Sequence, residues 1–286
     1  MRANGLEFAT FDDGPPDGPL ALCLHGFPDS AHTWRFLLPA LAAAGFHAVA
    51  PFLRGYAPTE IPADGRYQIG ALVRDANALH DALGGRDDAV IIGHDWGALT
   101  VYGAVAHEPD RWSRAVTMAV PPPASIGMSM LTYAQLRCSW YTFFFLSPSA
   151  DVALPLDDFA FLDGLWRDWS PGYDGTWDVA RVKESIGDPS HIAAAIGYYR
   201  ALNHSAHLDA DLAGEQEAAF LPTPKPTLYL HGRDDGCLLL SSIGHPLEHM
   251  AEGSSVLVID DAGHFVHVEK PDEVNRHVLE FITAGA

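Results

Sequence analysis

Apolar, strand-like runs alternate with helical stretches at both ends of the chain. That rhythm predicts an α/β protein with a mostly parallel central sheet flanked by helices. A second observation concerns the middle. The clusters Pro121-Pro122-Pro123 and Pro222-Thr223-Pro224-Lys225-Pro226 bracket a region with no evident buried strand, and proline continues neither helix nor strand. Residues 1–121 and 224–286 therefore form the predicted sheet domain, and 122–223 an inserted helical cap. A third observation is the junction of Ala89-Val90-Ile91-Ile92 with Gly93-His94-Asp95-Trp96-Gly97, which reads as a strand turning sharply into a helix.

The elements follow in order. Leu20 to Leu24, His47 to Pro51, Ala89 to Ile92 and Ala115 to Val120 are short apolar runs, the mark of strands buried on both faces. Between them, Thr33 to Ala44, Gly70 to Leu83 and Ala98 to Ala106 carry helical periodicity. Within the insertion, Leu131 to Phe145, Phe159 to Trp169, Val179 to Ile186 and Ile192 to Asn203 are aromatic-rich helical segments. The strand–helix rhythm resumes with Thr227 to Leu230, a helix near Leu247, the strand Ser255 to Ile259 and a last helix from Asp272 to Thr283.

With 286 residues, 48% hydrophobic and 19% charged, the chain is long enough to bury a sizeable core. A formal charge of −20 excludes the Lys- and Arg-rich surfaces that bind nucleic acid or anionic membranes. Cys23, Cys138 and Cys237 are odd in number and widely spaced, so neither a disulfide framework nor zinc spacing is present. No apolar signal core follows Met1, and Trp140 to Leu146 is too short to span a bilayer. The expectation is a cytoplasmic monomer or homodimer.

The chemistry is carried by Gly93-His94-Asp95-Trp96-Gly97. A nucleophile on a strand-to-helix elbow needs small residues on either side, and Asp95 occupies the position usually held by serine. A carboxylate is ionised at neutral pH and attacks without a base. Its ester with a tetrahedral carbon points to epoxides or alkyl halides. The bland reading is an Asp N-cap on a Gly-flanked turn.

Four other segments fall after predicted strands. His25-Gly26-Phe27-Pro28 lets the chain turn so that the Phe27 amide can join that of Trp96 in an oxyanion hole. Arg54-Gly55-Tyr56 reads as a turn with a structural arginine. Gly232-Arg233-Asp234-Asp235 offers an acid to orient a histidine, with Asp235 preferred and Asp234 its rival. Gly263-His264-Phe265 places a histidine on a Gly-containing loop after the last strand, from which it can project into the site. The remaining histidine pairs, His204/His207 and His245/His249, lack a third ligand, and neither metal nor cofactor is expected.

Through these motifs, and through the order nucleophile Asp95, acid Asp235, base His264, the chain resembles the α/β-hydrolase-fold epoxide hydrolases over essentially its whole length. The resemblance implies two cap tyrosines that hold and protonate an epoxide oxygen. Tyr141-Thr142-Phe143-Phe144-Phe145 with Pro148 matches one family pattern, although Leu146 stands where the family has Gln. Tyr199-Arg200 near Asn203 matches the other, with Tyr198 an adjacent rival. His25, Pro28, Trp96 and Phe265 are expected to line the substrate pocket. The implied substrates are a small apolar epoxide and water. Two alternatives stay open: a haloalkane dehalogenase using the same Asp-His-Asp set, and a non-catalytic ligand receptor on the same fold.

Overall fold

The computed structural model describes residues 1–284. Nine strands are present among the described residues. Strands β1 (Arg2–Ala3) and β2 (Leu6–Glu7) form a small hairpin-like pair. The central sheet contains β3 (Thr10–Asp13), β4 (Leu20–Leu24), β5 (His47–Pro51), β6 (Val90–His94), β7 (Arg114–Met118), β8 (Thr227–Gly232) and β9 (Ser255–Ile259). Their order is β3-β5-β4-β6-β7-β8-β9, with β3 antiparallel to β5 and every other pairing parallel. Every residue of β4, β6 and β8 is buried, which explains the short, mostly apolar runs by which these strands are read.

Helix α1 (Leu37–Ala43) packs beside the last helix, Pro271–Thr283. Helices α2 (Ile69–Ala82) and α3 (Trp96–His107) pack together as a second layer. The chain leaves β4 for β5 on one side and returns to β6 on the other. The loops after β4 and β6 thus meet at a switch in strand order, where open α/β sheets bind ligands.

Between β7 and β8 the described residues form helices and no sheet strand. The predicted helix at 131–145 is two, Tyr133–Cys138 and Trp140–Phe144. The ladder breaks at Ser139, whose carbonyl accepts both the amide and the hydroxyl of Thr142, three residues on. The later segments are Leu156–Trp169, entered through a left-handed turn at Asp157-Asp158-Phe159, then Thr176–Ile186 and Pro189–Asn203.

Three further differences from expectation have local causes. The helix near Leu247 is a single 3-10 turn, Pro246–His249, because Met250 is drawn into a bridge with Thr223. The helix predicted from Thr33 opens as a 3-10 turn, Ala31–Phe36, before α1. Ala213–Ala218 lies within the predicted insertion yet packs on α2 and α3, tied by Arg74 to Glu215 at 2.7 Å. No helix among the described residues is long and apolar enough to cross a membrane.

Candidate active site

The turn after β6 holds Asp95 at φ 53° and ψ −114°, a strained conformation for any residue with a Cβ. Close packing fixes its flanks. A Cβ on Gly93 would strike the Gly97 carbonyl, and one on Gly97 would strike the Leu24 carbonyl of β4. The elbow aims the Asp95 carboxylate at the loop after β4, where Gly26 leaves room for it and the Phe27 amide donates to its Oδ1 at 2.8 Å.

Asp95 Oδ2 lies 3.7 Å from Nε2 of His264, whose Nδ1 donates to Oδ2 of Asp235 at 3.0 Å. The other Asp235 oxygen accepts the amides of Cys237 and Leu238 at 2.8 and 2.9 Å. Asp235 is buried whereas Asp234 is exposed, so the second of the two acids faces the histidine. The loop carrying His264 is pinned by its own amide to the Trp169 carbonyl at 3.0 Å.

Electrostatics follow from this geometry. Burial works against charge on His264, but Asp235 and Asp95 outweigh it and hold the imidazole at about 10. Burial likewise opposes ionisation of Asp95, yet His264, His94 and the Phe27 amide keep its carboxyl below the usual range. The resting pair is therefore carboxylate and imidazolium.

Above Asp95 lies a cavity of about 290 Å³ with mostly apolar walls. Trp96, Tyr141, Tyr199, Leu99 and Cys237 line it. The Tyr199 hydroxyl is buried and has no hydrogen-bond partner, whereas the Tyr141 hydroxyl meets Cys237 Sγ at 3.3 Å. Burial raises both phenols well above their ordinary value, so both keep their protons. Tyr198, the neighbour, turns away and donates to the Arg54 carbonyl at 2.8 Å. Arg54 itself is a strut, bonded to the buried Asp75 at 2.6 and 2.7 Å.

His25, Pro28 and Phe265, expected at the pocket, lie behind its wall. His25 donates from Nδ1 to the Gly26 carbonyl and accepts the Leu53 amide at Nε2, so both ring nitrogens are spent on the loop. The Pro28 carbonyl accepts the Trp166 indole at 2.8 Å, and Phe265 stacks on that indole with ring centres 3.5 Å apart. The amide of Trp96 starts α3, and Phe27 supplies the amide that touches Asp95.

Sequence reasoning missed a layer beneath His264. His94 Nε2 donates to the His264 carbonyl at 3.0 Å. Asp29 Oδ2, His94 Nδ1 and His267 Nδ1 face one another there without partners. Asp29 Oδ2 lies 3.8 Å from His94 Nδ1 and all three atoms fall within 4.8 Å of one another, while the bond from His94 to the His264 carbonyl supports the histidine loop. The three residues are 65 and 173 positions apart, and no local pattern joins them.

Residues 19–271 match the family described as alpha/beta hydrolase fold. Epoxide hydrolase A of Mycobacterium tuberculosis is 30% identical, with 99% of this chain and 96% of the relative covered. An epoxide hydrolase of Caballeronia sordidicola is 28% identical, covering 99% and 92%. Among solved structures, a Bacillus megaterium epoxide hydrolase in complex with an inhibitor superposes with a TM-score of 0.83 at 25% identity, covering 99% of each chain.

Proposed function

The chain belongs to the alpha/beta hydrolase fold family and is a hydrolase; from that premise we propose that it opens apolar epoxides to 1,2-diols through an ester on Asp95. The observation that carries the reading is the pairing of a buried carboxylate nucleophile with two cavity-facing phenols, one of which has no partner. Within residues 122–223 the helical segments before Ala213 act as the cap that supplies those phenols, while Ala213–Ala218 packs on the core of 1–121 and 224–286.

Asp95 attacks an epoxide carbon in line with the C–O bond. The strained ring opens, and Tyr199 and Tyr141 donate to the departing alkoxide and protonate it. Esterification then removes the Asp95 charge. Having lost one of the two carboxylates that hold its proton, His264 releases that proton to restore the phenol through solvent. Now neutral and oriented by Asp235, His264 takes a proton from water, which attacks the ester carbonyl. The amides of Phe27 and Trp96 stabilise the oxyanion, each such donor contributing about 3 kcal/mol. Collapse frees the diol and restores the carboxylate.

A halide-releasing reaction would need N–H donors opposite the nucleophile. Trp96 lines the cavity and can offer one indole N–H, but position 27 carries Phe without a side-chain donor to complete the pair, and the cavity offers two phenols instead. The deciding experiment assays one preparation with styrene oxide and 1-bromobutane. The expected outcome is diol without bromide; bromide without diol overturns the proposal. Single turnover in ¹⁸O water should label Asp95, and His264→Gln should accumulate the unlabelled ester.

A further inference from the structure

The loop from Asp235 to Leu239 serves both sides of the cavity. Asp235 holds His264 and accepts two amides of this loop. Cys237, two residues on, points its thiol at the Tyr141 hydroxyl at 3.3 Å. The same residue's carbonyl accepts Nε2 of Gln135 at 2.8 Å, and the Leu239 amide donates to Oε1 of Gln135 at 3.0 Å. Gln135 sits on Tyr133–Cys138, one helix before Tyr141, and is wholly buried. One side-chain amide thus clamps the segment bearing the thiol to the segment bearing the phenol.

We propose that Cys237 is a positioning residue for the proposed epoxide opening, setting the direction in which Tyr141 presents its proton. The thiol is a weak hydrogen-bonding group in both roles. With the cavity empty, the Tyr141 hydroxyl can rest on sulfur at little cost. With an epoxide bound, the phenol turns its proton to the epoxide oxygen and accepts the S–H in exchange. No bond to sulfur forms or breaks, and the thiol keeps its proton throughout. Burial pushes the Cys237 thiol well above its ordinary value, consistent with a group that donates rather than attacks. The asymmetry with Tyr199 follows: its hydroxyl has no such partner and is free for the ligand from the start.

The test rests on the epoxide reading and separates from it. Cys237→Ala should slow ester formation by about threefold to tenfold, the usual worth of one hydrogen bond, with KM changed by less than about twofold. Cys237→Ser, which keeps a donor and acceptor, should recover most of that loss. In a Tyr141→Phe background, Cys237→Ala should cost nothing more, because the residue acts through the phenol. The S–H stretching band assigned by difference against Cys237→Ser should shift when Tyr141 becomes Phe. An equal loss in both backgrounds, or no loss in either, overturns the assignment. Failure of the wild-type protein to form diol overturns the epoxide reading instead.

Discussion

The two walls of the cavity satisfy their polar groups in different ways. On the core side the two catalytic carboxylates are held by fixed donors: Asp95 Oδ1 takes the Phe27 amide, and Asp235 takes two amides and an imidazole. On the cap side the Tyr199 hydroxyl has none and that of Tyr141 has only a thiol. Leaving a buried hydroxyl unpaired costs about 1–3 kcal/mol, so the cap holds hydrogen-bonding capacity in reserve. The core is built for a charge it already carries; in the proposed reaction the cap meets a charge that develops on the ligand oxygen only as the ring opens.

The contrast breaks first, and by most, at Asp235. Asp235→Asn should slow hydrolysis of the ester on the order of a thousandfold or more, since the amide cannot hold the imidazole proton as the carboxylate does. Asp234→Asn, on an exposed side chain, should leave rapid-quench rates unchanged. Next comes Tyr199→Phe, expected to slow ester formation about tenfold to a hundredfold. Its melting temperature should not fall, because the hydroxyl removed had no partner. A marked fall would mean that the cap side is not held in reserve at all.

Tyr198→Phe should do the reverse. It loses a buried bond to the Arg54 carbonyl, so unfolding should report a loss of about 1 kcal/mol while turnover stays within about twofold. The last test varies pH. His264 is raised to about 10, so its pairing stabilises fully below the ordinary imidazole value and is lost as pH climbs through about 10. Asp95 is lowered, so its share is complete above the ordinary carboxylate value and lost as pH falls through the depressed one. The stability advantage of wild type over His264→Gln should therefore narrow at the alkaline end of a thermal-melt series.

Much of this was legible in the chain because local chemistry carried it. Buried strands such as β4, β6 and β8 carry apolar runs along most of their length, and the elbow declares itself through two glycines that backbone packing demands. Strand β3 escaped notice because Thr10-Phe11-Asp12-Asp13 is half charged, as an edge strand can be. His25, Pro28 and Phe265 sit next to site residues in sequence, but adjacency does not say which way a side chain turns; both nitrogens of His25 are spent on the backbone. Asp29, His94 and His267 meet only through the sheet, and Cys237 reaches Tyr141 across 96 residues. Only the Tyr-Arg pattern favours Tyr199 over Tyr198, because helical periodicity does not separate neighbours: one step of about 100° divides a structural bond from an open hydroxyl.

That single step has a consequence for timing. Tyr198 latches the helix Pro189–Asn203 to the core through the Arg54 carbonyl, and Tyr199 looks into the cavity from the next rung. Lifting this helix outward unfastens the latch and withdraws the adjacent phenol in one movement. In the proposed reaction the Tyr198 latch and the Tyr199 grip on the product hydroxyl would then let go together, while Tyr141, on a separate helix, keeps its own hold.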